Sequence, residues 1–149
     1  MSEISRVALF GKLNPVVYKA IEGATVFCKL RGNPYVELVH WLTQLLETPD
    51  SDLQAIVRHY QLDQAALARD VTTTLDRLPR GSTAISDFSE HIEHAIQQGW
   101  VYGTLMYGDA QVRSGYLLVG ILNTPTLRHA LTGISRQFEK VKADDLADN

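Results

Sequence analysis

Residues 14–34 read NPVVYKAIEGATVFCKLRGNP, and this stretch decides the fold of the chain. Asn14 followed by Pro15 is typical of a helix start, because Asn caps the first turn and Pro at the first helical position loses no intrahelical hydrogen bond. The apolar residues that follow recur with the spacing of one buried helical face: Val17, Ile21, Ala24 and Cys28. The Gly–Asn–Pro sequence at 32–34 then ends the helix.

Three further segments of helical length follow, and Thr48–Pro49 separates the first of them from the second. They cover 37–47, 51–60 and 63–79. The second has a capping residue at Asp50 or Ser51. His40, in the first of these segments, lies among apolar residues, and we interpret it as a core residue that bonds to a loop carbonyl. No window shows the two-residue alternation of a half-buried strand, so the sequence predicts an all-α fold.

The same pattern returns 75 positions later, where Ser89 takes the place of the cap Asn14. The stripe that follows it consists of Ile92, Ile96, Gly99 and Gly103, and the two glycines are spaced to let helices approach closely. After one extra residue the offset becomes 76, so that Gly108 corresponds to Gly32, and a Thr–Pro pair follows in each copy. We infer an internal duplication: two tandem helical repeats, related by a pseudo-twofold axis, that bury their apolar faces against each other.

The 149 residues are expected to form one domain, since 45% are hydrophobic and 21% are charged. We expect an extra N-terminal helix at 4–12, the first repeat at 13–79, a connector at 80–86, the second repeat at 87–146 and the start of a linker at 147–149. The extra segment is apolar over a wide helical arc, which predicts that it contacts both the core of the domain and a partner.

Charge and composition argue against several classes of partner. The net charge of −3 and the lack of a basic run disfavour nucleic acid and anionic membranes. The longest apolar run, at 116–122, is far shorter than the ~20 residues that span a bilayer. The single cysteine, Cys28, allows no disulfide within the chain, which makes a reducing compartment the default. The sequence therefore predicts a soluble cytoplasmic protein.

Few residues suit catalysis or metal binding. His91 and His94 lie three positions apart on one predicted helix, but no third ligand stands at a suitable distance. Cys28 lies on the buried stripe, where a thiol packs as a small apolar group and is not activated. The sequence contains no nucleophile-elbow or phosphate-binding glycine motif. We predict no catalytic residue, metal site or cofactor in this chain. The alternative is a small enzyme that uses His91, His94 and nearby carboxylates with a metal.

The two repeats carry a leucine-rich helix in the same place, VELVHWLTQLL at 36–46 and VRSGYLLVGIL at 112–122. With the capped first helices and the glycine stops, this pattern resembles the N-terminal domain of the Clp ATPases, which are ring-forming AAA+ unfoldases. The resemblance covers about residues 13–146. Within that family, LNP at 13–15, CKLRG at 28–32 and the extra N-terminal segment are most similar to the ClpV ATPases of type VI secretion.

The resemblance implies a double Clp N-domain that is not catalytic itself and recognises substrate for a larger ATPase. ClpV-type ATPases disassemble contracted secretion sheaths, and their N-domain binds a short helix at the amino end of the larger sheath subunit. The resemblance also implies a bacterial cytoplasmic protein whose AAA+ modules bind ATP and Mg²⁺ and form a hexamer. The alternative is a general Clp disaggregase or protease-partner unfoldase, whose N-domain binds adaptors or unfolded segments.

A groove for an amphipathic helix needs apolar walls that meet the ligand at helical spacing. We expect the extra helix to form one wall, and the connector with the start of the second repeat to form the other. The candidate peptide-binding residues are Arg6, Leu9, Phe10, Leu13, Thr83, Ile85, Phe88, His91 and Ile92. Arg6, Asp87 and Glu90 are expected to orient the bound helix by pairing with its charges at the rim. Alternatively, Phe10 and Phe88 complete the core between the extra helix and the repeats.

Overall fold

The computed structural model describes residues 5–49 and 51–147, and helices make up most of them. The α helices are α1 (Arg6–Phe10), α2 (Pro15–Leu30), α3 (Leu38–Glu47), α4 (Asp52–His59), α5 (Gln64–Asp76), α6 (Glu90–Tyr107), α7 (Ser114–Leu122), α8 (Pro125–Ile134) and α9 (Ala143–Ala147). A 3-10 helix, Arg136–Lys140, lies between α8 and α9. Two short strands, β1 (Tyr35–Val36) and β2 (Asp87–Phe88), pair in parallel. The prediction of an all-α fold with two tandem repeats and an extra N-terminal helix is confirmed.

Side-chain caps start the helices where the sequence predicted them. Asn14 Oδ1 accepts a hydrogen bond from a first-turn N–H of α2 at 2.9 Å, and Ser89 Oγ accepts one from α6 at 3.2 Å. Ser51 caps α4 in the same way at 3.2 Å, whereas Asp50 lies outside the described residues. Each cap pairs an N–H that the helix itself leaves without a partner.

The extra helix is shorter than predicted. α1 ends at Phe10, before the expected end at 12, and Ile4 lies outside the described residues. The backbone leaves the helix there because it pairs with the second repeat instead. Lys12 O accepts a hydrogen bond from Val112 N–H at 2.7 Å, and Leu13 lies opposite Val112 in an isolated parallel bridge.

Two short parallel contacts join the repeats, and they are equivalent under the duplication. β1 pairs with β2, which places Val36 opposite Phe88, and Leu13 pairs with Val112. Leu13 and Phe88 correspond at an offset of 75 residues, and Val36 and Val112 at an offset of 76. Each repeat thus contributes a residue ahead of its first helix to one contact and a residue ahead of its second helix to the other. Such reciprocal pairing is what a twofold relation requires.

Two further hydrogen bonds repeat in the same way. Asn14 N–H donates to Val112 O at 2.9 Å, and Ser89 N–H donates to Val36 O at 2.8 Å. The helix caps are therefore bonded to the opposite repeat. The same residues start a helix and hold the two repeats together.

These contacts do not test the predicted boundaries of the repeats and the connector. The pairing shows how the repeats meet but not where each one ends, so 13–79, 80–86 and 87–146 stay predictions. The predicted linker start at 147–149 falls largely outside the described residues. Within the part of the chain that the structure describes, no helix is long and apolar enough to cross a bilayer.

One hydrophobic core joins the repeats, and α7 approaches α6 closely on one side of it. The largest fully buried side chains come from both repeats and include Trp41, Phe138, Ile92, Ile96 and Leu127. Gly120 of α7 faces Gln98 of α6, where a β-carbon would lie 2.7 Å from the Gln98 carbonyl carbon. Gly99 and Gly103 face α7 as their spacing predicted, and a β-carbon on Gly103 would lie 2.7 Å from the ring of Tyr116.

Gly120→Ala should destabilise the domain, because the added methyl group meets backbone and not the end of a flexible side chain. Overpacking costs about 1–3 kcal/mol, which lowers the Tm by several degrees in a domain of this size. Gly133→Ala is the matched control: a β-carbon at this position in α8 meets no neighbouring atom within 4 Å, so helix propensity should leave the Tm unchanged or raise it. Thermal unfolding measures both, and equal Tm values for the two variants would contradict the close contact between α6 and α7.

Candidate functional site

α1 packs against the start of the second repeat, where the sequence predicted a peptide site. Leu9 is buried beneath the helix, and the ring of Phe10 meets the ring of Phe88 edge-on, with centroids 5.2 Å apart and planes at 76°. This is a favourable geometry for two aromatic rings. Both rings are half-buried and pack against the core. They therefore complete the core, as the alternative interpretation expected, and also keep part of their surface exposed.

An ion-pair network holds α1 in this position. Arg6 Nη1 lies 2.5 Å from Asp87 Oδ1, Arg6 Nε bonds to Glu93, and the guanidinium lies 5.9 Å from the centroid of the Phe88 ring. The bonds to Asp87 and Glu93 raise the pKa of Arg6, and the bond from Arg6 lowers the pKa of Asp87. Because Arg6 and Asp87 are about half exposed, the pair adds little stability and mainly orients α1. We call Arg6, Phe10, Asp87, Phe88 and Glu93 the α1–β2 surface.

The nine predicted residues differ in how far they reach solvent. Arg6, Thr83 and His91 are exposed, Phe10, Ile85 and Phe88 are half-buried, and Leu9, Leu13 and Ile92 are 5%, 4% and 0% exposed. The last three lie in the core beneath the exposed residues, so they offer almost no area to a ligand.

The expected role of Arg6 needs correction. The sequence placed it at the rim with Asp87 and Glu90, as a partner for charges on a ligand. Its guanidinium instead pairs within the domain, with Asp87 and Glu93. Glu93 was missed, and only its three-residue spacing from Glu90 on one helix pointed to it.

A chain of hydrogen bonds in the first repeat holds the loop before β1 against the segment that follows α5. Glu37 N–H donates to His40 Nδ1 at 2.8 Å, so the neutral imidazole carries its proton on Nε2 and donates to Asn33 Oδ1 at 2.9 Å. Asn33 Nδ2 donates in turn to Pro79 O at 2.8 Å. The chain ties the loop before β1 to the segment that leads toward β2. The expectation that His40 bonds a loop carbonyl is met only through Asn33.

The residues considered for metal binding and catalysis are His91, His94 and Cys28. His91 is exposed and His94 is half-buried. Among residues 5–49 and 51–147, no three His, Cys, Asp or Glu side chains come together as metal ligands. Cys28 is buried, with its thiol 3.3 Å from Asn33 O and 3.2 Å from Tyr35 O, and burial raises its pKa. A raised pKa keeps the sulfur as the less reactive thiol, so Cys28 has the structural role that its stripe position predicted.

The family of the chain follows from its sequence as well as from these contacts. Residues 12–134 match the Clp repeat (R) N-terminal domain. The chain belongs to this family. The resemblance to the N-terminal domain of Clp ATPases is thereby confirmed.

Similar proteins place the chain further within the family. It is 67% identical, over 99% of its length, to the AAA+ ATPase ClpV1 of Pseudomonas aeruginosa, of which it spans 16%. A solved structure described as "Coevolution of the ATPase ClpV, the TssB-TssC Sheath and the Accessory HsiE Protein Distinguishes Two Type VI Secretion Classes" contains a chain that is 67% identical and matches with a TM-score of 0.96, over 99% of this chain and 91% of its own. Another, described as "Peptide from EAEC T6SS Sci1 SciI protein", matches at 27% identity and a TM-score of 0.78, over 98% of this chain and 94% of its own. The predicted similarity to ClpV is confirmed.

The pKa of His40 predicts how the stability of the domain changes with pH. Burial lowers this pKa from 6.5 to about 4, and the charge of Arg31 adds to the shift. Between these values the unfolded chain binds the proton more readily than the folded domain, since protonation removes the Nδ1 acceptor. The free energy of unfolding should therefore rise as the pH increases from about 4 to 6.5 and then level off. This one group contributes a slope of at most about 1.4 kcal/mol per pH unit.

Chemical denaturation across this pH window checks the prediction. His40→Gln removes the titrating group and should lose most of the slope, even if the variant is less stable at every pH. His129→Gln is the control, because His129 is exposed on α8, and it should keep the slope of the parent. Equal slopes for the parent and His40→Gln would show that His40 is not the source.

Proposed function

We propose that this domain recognises substrate for a ClpV-type AAA+ ATPase by binding a short helix of a type VI secretion sheath subunit, so that the ATPase ring disassembles contracted sheaths. The observation that carries the proposal is the 67% identity to ClpV1 over 99% of the chain. One similar structure is described with the TssB–TssC sheath, and the other with a peptide of a type VI secretion protein. Both descriptions support a sheath-derived peptide as the ligand.

In this proposal the peptide lies on the α1–β2 surface and also contacts Thr83, Ile85 and His91. Phe10, Phe88 and Ile85 are half-buried and supply apolar area, while Thr83 and His91 are exposed and supply polar groups. An amphipathic helix that lies against α1 would bury the exposed parts of the two rings, and helix-in-groove recognition uses anchors of this kind. The buried residues Leu9, Leu13 and Ile92 would keep these anchors in position.

Acidic side chains favour a ligand helix that carries a basic residue. Asp87 and Glu93 share the single cation Arg6, and Glu90 is exposed in the same turn of α6 as Glu93. Exposed ion pairs contribute only about 0–1 kcal/mol each. In the proposal, apolar area therefore supplies the affinity, and charge selects the orientation of the bound helix.

The remaining parts of the proposed function lie outside this chain, which spans 16% of ClpV1. We propose that a longer protein carries AAA+ modules that bind ATP and Mg²⁺ and form a hexamer in the bacterial cytoplasm, while this domain catalyses nothing. Copies of the domain on one ring would bind a polymeric sheath more tightly than a single domain does, because they raise the local concentration. Two Walker-type modules encoded after codon 149 would support this, and a stop codon there would contradict it.

Phe10→Glu and Phe88→Glu should each weaken binding of a sheath-helix peptide at least about tenfold, because a carboxylate replaces an apolar anchor. The parent is expected to bind with about micromolar Kd, or roughly −8 kcal/mol. Leu105→Glu is the matched control: Leu105 is 81% exposed on α6 and lies outside the α1–β2 surface, so its variant should bind like the parent. Calorimetry gives the Kd values, and circular dichroism confirms that each variant is folded. Binding of both Phe variants at the parental Kd would contradict this site.

The general chaperone alternative predicts a different selectivity. A domain for unfolded segments should bind a scrambled peptide of the same composition about as well as the sheath helix. A domain for one sheath helix should reject the scrambled peptide, since scrambling removes the apolar face of the ligand. The same titrations distinguish the two functions.

A further inference from the structure

A cavity of about 380 Å³ lies between α5 of the first repeat and α8 with the following 3-10 helix of the second, and it shares no lining residue with the α1–β2 surface. Three arginines line it: Arg69 and Arg77 from the first repeat, and Arg136 from the second. Among the described residues of the lining, Asp70 alone is acidic, and it accepts a hydrogen bond from Ser135 Oγ at 2.7 Å. This cavity therefore has a local excess of positive charge in a chain whose net charge is −3.

The three guanidinium groups are accessible and have no close carboxylate partner. The side chains of Arg69 and Arg136 are 73% and 87% exposed, and Arg77 is exposed as well. Arg69 Nε lies 3.7 Å from Asp70 Oδ1, and Arg136 Nε lies 3.6 Å from Glu139 Oε1, so both pairs exceed hydrogen-bond distance. Within the described part of the chain, no ion pair involves Arg77. A ligand can thus reach all three groups from solvent.

The space between these arginines is open at Gly133 of α8. This residue is exposed, and a β-carbon built on it would meet no neighbouring atom within 4 Å. The hydroxyl groups of Thr73 and Thr74, which also line the cavity, already donate to backbone carbonyls of α5 at 2.9 Å each. The arginines are therefore the groups with donors left for a ligand.

We propose that this cavity, which we call the arginine site (Arg69, Arg77 and Arg136), docks an extended acidic segment of a partner protein. A guanidinium group is planar and binds a carboxylate through two charge-assisted hydrogen bonds, so the lining selects for anions. Three like charges around one cavity also repel one another, and an anionic ligand removes this repulsion. The site needs residues from both repeats, so it exists only in the folded domain.

The spacing of the arginines favours a peptide over a single phosphate group. Arg69 and Arg77 lie eight residues apart on α5 and its C-terminal cap, which is about 12 Å along the helix axis. A single phosphate does not span this distance, whereas an extended peptide covers it in about four residues. Side chains at alternate positions of such a peptide lie on one side, so three acidic residues at i, i+2 and i+4 can meet the three arginines. Nucleic acid is disfavoured, because the negative net charge of the domain repels a phosphate backbone.

The test uses the 149-residue chain and the peptide acetyl-Glu-Ser-Glu-Ser-Glu-amide, compared with the same peptide in which Gln replaces each Glu. Backbone amide resonances of Thr73, Gly133 and Gln137, which line the cavity, are followed by NMR during each titration. We expect the Glu peptide to shift these resonances and to bind at least about tenfold more tightly than the Gln peptide, because only carboxylates form charge-assisted bonds. Added salt should weaken this binding, since the arginines are exposed.

Four results would overturn the inference. They are equal binding of the two peptides, shifts that map to the α1–β2 surface, no shift at millimolar concentration of the Glu peptide, and a response of the same resonances to an oligothymidylate of eight nucleotides at lower concentration than to the Glu peptide. The last result would show that the arginine site prefers nucleic acid.

Arginine variants assign the binding to this site. Arg77→Gln should weaken binding of the Glu peptide about two- to fivefold, which is the range of an exposed ion pair, and the triple variant with Gln at 69, 77 and 136 at least about tenfold. Arg58→Gln is the matched control, because Arg58 is exposed on α4 and does not line the cavity. Exposed substitutions of this kind leave the fold intact, which circular dichroism checks. Parental binding by the triple variant, or an equal loss in Arg58→Gln and Arg77→Gln, would contradict the assignment.

Binding of the sheath helix is measured in parallel with the same variants. The triple variant should bind that helix like the parent, because the arginine site and the α1–β2 surface share no residue. The failure of this inference and that of the proposed function are therefore distinguishable.

Discussion

The reciprocal backbone pairing between the repeats determines the rest of the domain. Leu13 meets Val112 and Val36 meets Phe88, so each repeat supplies one residue to each of two equivalent contacts. The caps of α2 and α6 donate hydrogen bonds into the same contacts, which fixes where the long helices start and how they face each other. Two helical units that cannot bury their apolar faces alone thereby form one core.

The position of α1 follows from this pairing. An isolated helix of five residues is not stable in water, since helices below about 12–15 residues are marginal even with favourable sequences. α1 forms because Leu9 enters the common core, Phe10 packs on Phe88, and Arg6 bonds to β2 and α6. The α1–β2 surface is therefore built from segments that are far apart in the sequence, and it exists only when both repeats are folded and paired.

Local signals made most of the fold predictable, because caps, breakers and apolar spacing act within a few residues. The pairing of β1 with β2 was not predictable, since two-residue strands leave no alternation in the sequence. The contact of Arg6 with Glu93 depends on tertiary distances that no spacing encodes. Ile92 was predicted both as a member of the buried helical stripe and as a peptide-binding residue. The two predictions conflict, and its full burial agrees with the stripe. The amphipathic pattern thus identified the supporting core more reliably than the surface above it.

The most direct measurement is a set of isotope-filtered NOEs between the labelled domain and an unlabelled peptide with the sequence of the sheath helix. We predict NOEs from apolar side chains of the peptide to the ring protons of Phe10 and Phe88, with the helical spacing of contacts preserved along the peptide. A bound peptide whose NOEs all fall on other faces of the domain, with none to these two rings, would contradict the proposed recognition surface.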